Sequence, residues 1–499
     1  MYRRFGRAAL FAGVAAGLAF AAGGASAQDA TVQTAPVERP APPLDPRDQE
    51  IAELREEVHE LAAQVADLKS ATSSGLKEVR ASQSTLPQVS ISNGRPTIAT
   101  ADGDNKFAIR SVVQFDAAHY DVSPLRTDND LASGTNFRRA RIGFDATVFK
   151  NWNIALWGDF GGSGGETPVL NQAFIEYAGF KPFGGTTQLR LRVGAWATPT
   201  GEEDATSNTD SLFLERAAIA ELVRGIAGGD GRSGVGAFWS GDRWYVSGVL
   251  TGAVVGVPAT AEFDEQEGYL ARVAVNPIHG ADYDVHLGAN VTGVLKPADT
   301  TAGPLTAQAI RLRERPELRV DGTRLVDTGN IAADGLTAWG LEGGASFKSL
   351  LLQSEWFKIN VDRQGVLFDP SFSGWYVQGA WALTGEHRAW SSANGGFRGI
   401  KPNHNFNPAK GGWGAFEVAA RYSVLDLNDQ SGLAGAAAPA GGIRGGRQEI
   451  TTVGLNWYPN TVVRFLLDYQ WANINRLNAA GASIGENVKT LSFRSQFAF

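Results

Sequence analysis

The last eleven residues, Lys489 to Phe499, put Leu491, Phe493, Phe497 and Phe499 on one face of an extended chain and Thr490, Ser492, Arg494 and Gln496 on the other. A period of two marks a strand that is apolar on one side and wet on the other. A strand of this kind, ending on an aromatic with its polar side uninterrupted, suits the closing strand of an outer-membrane β-barrel, whose outer face meets lipid and whose inner face meets water.

The other end of the chain predicts the same address. Arg3, Arg4 and Arg7, then the apolar stretch Ala8 to Ala22, then Ala25-Ser26-Ala27, read as a secretory signal peptide over 1–27 with the mature chain starting at Gln28. The apolar run is small-residue-rich and short of the ~20 residues a spanning helix needs. No other segment is apolar for long enough, so insertion into a membrane must use strands. With 60 Gly, 19% charged residues and a negative mean hydropathy, the chain is too polar for a helical membrane protein, and it is too long for one ordinary β-sandwich. The absence of Cys excludes a disulfide scaffold, a thiolate metal site and a thiol nucleophile. A net charge of -7 gives no reason to expect nucleic acid as a partner. Only 11 of the 45 basic residues are Lys, so Arg dominates, and its planar fork suits phosphate and carboxylate.

Residues 28–50, with Pro36, Pro40, Pro42, Pro43 and Pro46, read as an extended linker. Over 51–69, Ile51, Leu54, Val58, Leu61, Val65 and Leu68 recur at spacings of three and four, a short coiled-coil seam expected to pair with copies of itself or, failing that, to lie on a surface as one amphipathic helix. Residues 70–104 read as a Ser-, Thr- and Gly-rich connector. From 105 to 499 the alternation marks sixteen strands: 107–118, 137–148, 152–160, 169–178, 188–196, 233–241, 243–252, 267–276, 283–295, 336–347, 349–359, 374–384, 415–425, 447–458, 460–471 and 487–499. Long connections (119–136, 198–232, 296–335, 426–446) mostly alternate with short ones, as in a barrel with outer loops and periplasmic turns. The thirty residues 385–414 fall on the turn side, so they are either an unusual insert or a slip of parity.

Within these strands Arg110, Arg139, Arg141, Arg190, Arg192, Arg272, Arg421, Arg464 and Arg494 share a phase with Gly, Thr, Ser, Asn, Gln or acidic neighbours, opposite the Leu, Ile, Val and Phe positions. They should face water, since each would cost roughly 2–4 kcal/mol in lipid near the midplane. Arg138 breaks phase and is expected at the membrane interface. Trp152, Trp457, Trp471, Tyr458 and Tyr469 near strand ends suggest an interfacial aromatic girdle.

Five separated segments carry a resemblance: Phe137-Arg-Arg-Ala-Arg-Ile-Gly-Phe144, Leu170-Asn-Gln-Ala-Phe-Ile-Glu-Tyr177, Arg192-Val-Gly-Ala-Trp-Ala-Thr-Pro-Thr-Gly-Glu202 with Leu214-Glu-Arg216, Phe416-Glu-Val-Ala-Ala-Arg-Tyr-Ser423 with Asp426-Leu-Asn-Asp429, and Gly454-Leu-Asn-Trp-Tyr-Pro459. Together they resemble the phosphate-selective porin O and P family over nearly all of 105–499. The resemblance implies an all-β fold, a sixteen-stranded antiparallel transmembrane β-barrel, assembled as a homotrimer, with the loop after the fifth strand folded into the lumen. It also implies a ladder of arginines on the lumen side. Arg311, Arg313 and Arg315, with Arg319 after them, match best, because a spacing of two in an extended segment aims three guanidinium groups one way. Paired with Glu314, Glu317 and Asp321, the same arginines would be no more than a solvated loop.

Two features depart from a clean anion pore. Loop 198–232 is acidic, with Glu202, Glu203, Asp204, Asp210, Glu215, Glu221 and Asp230 against Arg216, Arg224 and Arg232. The wall is mixed, because Asp116, Asp145, Asp159, Glu176, Glu355, Glu417 and Asp468 share the lumen phase. Rows of both signs are typical of general porins. The sequence therefore predicts passive diffusion of small anions, phosphate or polyphosphate first, with Arg311, Arg313, Arg315, Arg319, Arg139, Arg141, Arg190 and Arg192 as candidate contacts. A weakly selective porin and an envelope-tethering barrel are the alternatives. No cofactor is called for: none of the six His has a second His at metal-ligand spacing, and the Gly clusters do not open a helix after a strand.

Overall fold

The computed structural model describes residues 45–83, 86–124, 131–162, 169–256, 264–299 and 308–499, so the expected signal peptide and most of the linker lie outside it. By chain contacts it divides into Met1–Arg80 and Ala81–Phe499.

A helix, α1, runs Pro46–Gln83, beyond the end of the expected heptads, with all but its last three residues in the first unit. Asp45 caps its start, accepting the Arg47 N–H at 3.0 Å, and Pro46 takes the first turn, where no N–H is needed. Ile51, Leu54, Val58, Leu61, Val65 and Leu68 are all exposed along it.

The expected connector 70–104 is not one. Besides the end of α1 it holds a hairpin, Gln88–Ser92 with Arg95–Ala99, whose second strand joins the barrel through Thr97 opposite Ala108. Asn93 and Gly94, both at positive φ, make the tight turn that favours Asn-Gly between strands. That dipeptide was visible in the sequence, but the Ser/Thr-rich composition hid the alternation around it.

The barrel strands are β1 Lys106–Ser123, β2 Gly134–Val148, β3 Trp152–Asp159, β4 Val169–Phe180, β5 Leu189–Trp196, β6 Arg232–Ser240, β7 Trp244–Val254, β8 Glu267–His279, β9 Tyr283–Lys296, β10 Ile331–Phe347, β11 Leu350–Arg363, β12 Ser371–Ala382, β13 Ala415–Asp429, β14 Ile443–Tyr458, β15 Val463–Asn475 and β16 Glu486–Ala498. Each overlaps one of the segments that the alternation marks. Neighbours pair antiparallel, and β16 closes on β1 with Phe497 opposite Val113. Closure removes the sheet edges that lipid could not hydrogen-bond. Ile142, Ile175, Leu191, Leu287, Leu341 and Leu467 lie exposed on the outer face, where lipid replaces water as their neighbour.

Parity does not slip at 385–414. Ala382 pairs with Glu417, so β12 and β13 are ordinary neighbours and the intervening residues are a turn-side insert, with a small hairpin at Trp390–Ser391 and Gly396–Phe397. The expectation of a polar inner face holds for only part of the barrel. Leu270, Val294, Leu336, Ile359, Phe372 and Leu425 point inward and form one buried cluster with a second helix, α2 (Ala218–Ala227), and with Ile310, Leu312, Leu318 and Leu325. Alternation in sequence says which residues share a face; it cannot say that a helix covers that face.

Candidate pore constriction

Loop 197–231, the segment 309–328 and the insert 385–414 all pack against the inner wall. Charge anchors the first. Arg494 of β16 grips Asp116 of β1 with both arms (2.6 and 2.7 Å) and reaches Glu215 of the loop at 3.0 Å. Arg421 of β13 holds Glu203 at 3.1 Å, Arg141 of β2 joins Asp159 (2.6 Å) to Asp230 (2.7 Å), and the Leu214 N–H donates to Asp468 (2.8 Å). The acidic balance of 198–232 therefore serves attachment, because its carboxylates meet wall arginines. Charge-assisted pairs of this geometry are the strong class of hydrogen bond.

The short helical turn Glu202–Ala205 starts on a wall carboxylate. Glu355 accepts the Glu202 N–H (2.8 Å) and the Glu203 N–H (3.1 Å) and takes the Tyr376 hydroxyl at 2.7 Å. A Cβ at Gly201 would meet Glu355 Oε1 at 2.1 Å, so a larger residue there would displace the carboxylate that receives the turn. In α2, burial pushes the Glu221 carboxyl up, but Arg319, Arg224 and Arg216 overcome this and hold it at about 2.

The sequence-predicted ladder does not form as one row. Arg311 and Arg313 are exposed and Arg315 is buried. Arg311 is tied to Asp327 through Nε at 2.8 Å, and Arg319 pairs with Glu221. Extended geometry lasts only through Arg313–Glu314; Pro316 and a positive φ at Glu317 then turn the chain, so the spacing of two stops aiming side chains one way.

On the wall, Arg141 is spent on its two carboxylates, and Arg192 on Glu176 (2.6 Å) under the Phe174 ring at 4.0 Å. Arg190 donates to the Ala393 carbonyl of the insert at 3.2 Å. Arg139, 2% exposed, donates to Gln114 at 2.7 Å, while its Nε has no partner among the described residues. Arg138 corrects an expectation. It is buried inside the barrel on Glu215 (2.7 Å), not at the membrane interface. The register steps from Gln114 opposite Arg139 to Phe115 opposite Phe137, a bulge that leaves Arg138 unpaired and turns two consecutive arginines inward. Tyr458 likewise leaves the expected girdle and donates to Glu417 inside at 2.8 Å, whereas Trp152 and Trp471 stay exposed.

A cavity of about 840 Å³ opens at the turn end, lined among others by Arg95, Arg110, Arg141, Arg398, Lys401 and Arg464 against Asp210 and Glu386. Arg464 donates to the carbonyls of Thr209 (3.1 Å) and Ser211 (2.6 Å), and Arg398 to the Ser391 hydroxyl (2.8 Å). Sequence reasoning passed over Arg398 and Lys401 because they sit in the insert; a thirty-residue segment in a turn position was the signal. Among the described residues no group of three or more His, Cys, Asp or Glu could hold a metal ion.

The sequence model of the family described as Phosphate-selective porin O and P matches residues 107–499. Porin O of Pseudomonas aeruginosa is 26% identical over 419 residues, covering 81% of this chain and 90% of that protein. An uncharacterized protein of Caulobacter vibrioides is 26% identical over 412 residues, covering 76% of this chain and 73% of its own. Among solved structures, OmpT of Vibrio cholerae aligns with a TM-score of 0.47 at 11% identity, over 79% of this chain and 98% of that one. An anion-selective porin from Comamonas acidovorans aligns with a TM-score of 0.43 at 12% identity, over 79% of this chain and all of its own, 100%. With a closed sixteen-stranded barrel, an apolar outer face and a charged interior segment by segment in place, the chain belongs to the phosphate-selective porin O and P family and is an outer-membrane porin.

Proposed function

We propose that this porin passes small anions in preference to cations, phosphate first, as a homotrimer in which each barrel conducts. The observation that carries the reading is Arg139, an inward-facing guanidinium with no carboxylate within ion-pair distance among the described residues, flanked by Arg138 and Arg141 and with Glu215 farther off. Arg398 and Arg464 share that condition, being held by a hydroxyl and by backbone carbonyls. An arginine satisfied by neutral groups keeps its field for a passing anion, whereas a paired one is cancelled. The family description favours the same solute class. Arg311, Arg313, Arg315, Arg319, Arg190 and Arg192 remain secondary contacts in this reading, because several are engaged in pairs. No cofactor and no catalytic step enter it.

A zero-current potential across a planar bilayer with a KCl gradient decides between signs. An anion-selective reversal potential with current blocked by phosphate is expected; a cation-selective one would overturn the reading. A weakly selective general pore is the second reading, and the close pairing of Arg141, Arg192 and Arg494 with carboxylates favours it.

A further inference from the structure

At the turn end of the barrel, β8, β9 and β10 carry a closed set of inward groups that ion passage does not call on. His286 of β9 is fully buried, with Nε2 3.0 Å from Glu342 Oε2 on β10 and 4.0 Å from Glu202 Oε2 on the intruding loop. Glu342 also takes Arg272 of β8 at 2.6 Å and Asn290 at 2.8 Å. On the other side of the ring, Nδ1 lies 3.0 Å from Trp390 Nε1. An indole N–H can only donate, so Nδ1 must carry a lone pair and the single ring proton must sit on Nε2, pointing at Glu342. The partners therefore define a neutral imidazole and its tautomer.

Trp390 belongs to the insert 385–414. Its backbone N–H donates to Asp284 Oδ2 of β9 at 3.1 Å, and Arg272 donates to the carbonyls of Asn394 (2.6 Å) and Gly395 (2.5 Å) at the hairpin tip. Gly395 sits at φ +65 with no room for a side chain: a Cβ would meet Ala274 at 2.9 Å. The insert thus meets β8 to β10 through a few polar contacts, one of which exists only while His286 is neutral, while Arg388 on Glu417 of β13 (2.7 Å) and the buried Phe397 hold the rest of it.

We infer that the insert is a turn-side gate and that His286, acting through Trp390 as a positioning residue, releases it when protonated. A second proton has only Nδ1 to occupy, where it would face the indole N–H donor to donor. The contact then repels. The new charge would be stabilised by Glu342 and opposed by Arg272, while Glu202, whose Oε2 has no hydrogen-bond partner among the described residues, is pushed toward its neutral form by burial and by Glu355. Two other imidazoles pull the opposite way in acid. His387 of the insert lies 3.4 Å from Asp284, and His279 of β8 lies 2.6 Å from it. Both side chains are part exposed, 20% and 51%, so their ion pairs gain less than the buried contact loses.

The test uses the full chain in planar bilayers, and its readout is unit conductance, so it stands apart from the question of anion preference. The parent porin should step to higher conductance as the buffer is taken from neutral pH down through the imidazole range into acid. Trp390→Phe, which removes the N–H together with part of the ring's packing, should be high and noisy already at neutral pH, and the His286→Asn channel separates the hydrogen bond from the packing. His286→Asn keeps an acceptor and a donor but does not titrate in this range, and should lose the acid step. As a second measurement, Ser391→Cys places a thiol in the buried hairpin of a chain without cysteine, and at neutral pH it should label with maleimide severalfold faster beside Trp390→Phe. A Trp390→Phe channel that conducts and labels like its parent, or a His286→Asn channel that keeps the acid step, would overturn the inference. Should Trp390→Phe fail to give the heat-modifiable barrel band, the His286→Asn result decides alone.

Discussion

At the scale of single residues, the charges of the lumen divide into spent and unspent. Arg494, 1% exposed and gripped by Asp116 and Glu215, is structural; Arg139, like Arg398 and Arg464, has capacity left. Arg139→Ala should weaken phosphate block of chloride current severalfold, the loss of one charge-assisted contact of about 1.5–3 kcal/mol. Lys there should restore part of it, a point charge without the fork. Arg313→Ala should change block less than Arg139→Ala, and the reverse order in bilayer recordings would return the binding role to the loop arginines. Glu221 gives a pH prediction of definite sign. Its folded value of about 2 lies below the ordinary carboxylate range, so its stabilisation is present above that range and is lost as pH falls through about 2. Glu221→Gln should therefore lower the urea midpoint by the same amount at pH 8 and at neutrality, and parent and variant should converge only in strong acid. Breaking a buried pair of this kind costs about 3–5 kcal/mol.

At the scale of elements, α2 is held by apolar burial and its surroundings by charge. Ile219 and Val223 are fully buried against the inner wall, and Gly374 on β12 leaves the space Ile219 occupies. Ile219→Ala should cost about 2–5 kcal/mol and raise open-channel noise, measured by denaturant titration and single-channel recording, because the loop it anchors borders the pore. The other element-scale prediction concerns α1. Its exposed seam pairs β-branched Ile51, Val58 and Val65 with Leu54, Leu61 and Leu68, a pattern that favours two strands, while the proposed barrel assembly has three. So short a seam contributes too little to override a barrel interface. Leu54→Ser with Leu61→Ser should leave the detergent-extracted trimer intact on native gels; monomers would reverse that ranking. Much of this scale was legible: the sixteen strands, the helix and the inward arginine phase all follow from periods of two and about 3.5. The bulge at Arg138 and the hairpin at Asn93-Gly94 were not read, since each depends on one residue that interrupts a pattern rather than on the pattern itself.

For the whole molecule, the second unit contains every strand of the closed barrel, and the hairpin 88–99 is paired into it. Deletion of residues 28–83 should therefore leave conductance unchanged in bilayers, whereas a cut extending through residue 99 should lower barrel stability, because β1 loses a paired neighbour at its start. A porin that stopped conducting on loss of 28–83 would give α1 a part in the pore itself.

The chain's period-two alternation by itself determined the barrel and, away from the bulge at Arg138, the side of each strand that meets lipid, because an arginine misplaced into lipid carries a heavy penalty. Tertiary structure alone decided which arginines are free. Whether Arg139 or Arg311 can greet an anion depends on which carboxylates fold back beside them, and Asp327, Glu215, Asp230 and Glu221 reach their partners across long stretches of chain. The same holds for the insert: its length was plain, but that it turns inward and rests on His286 follows from contacts between residues 104 positions apart, which no local pattern encodes.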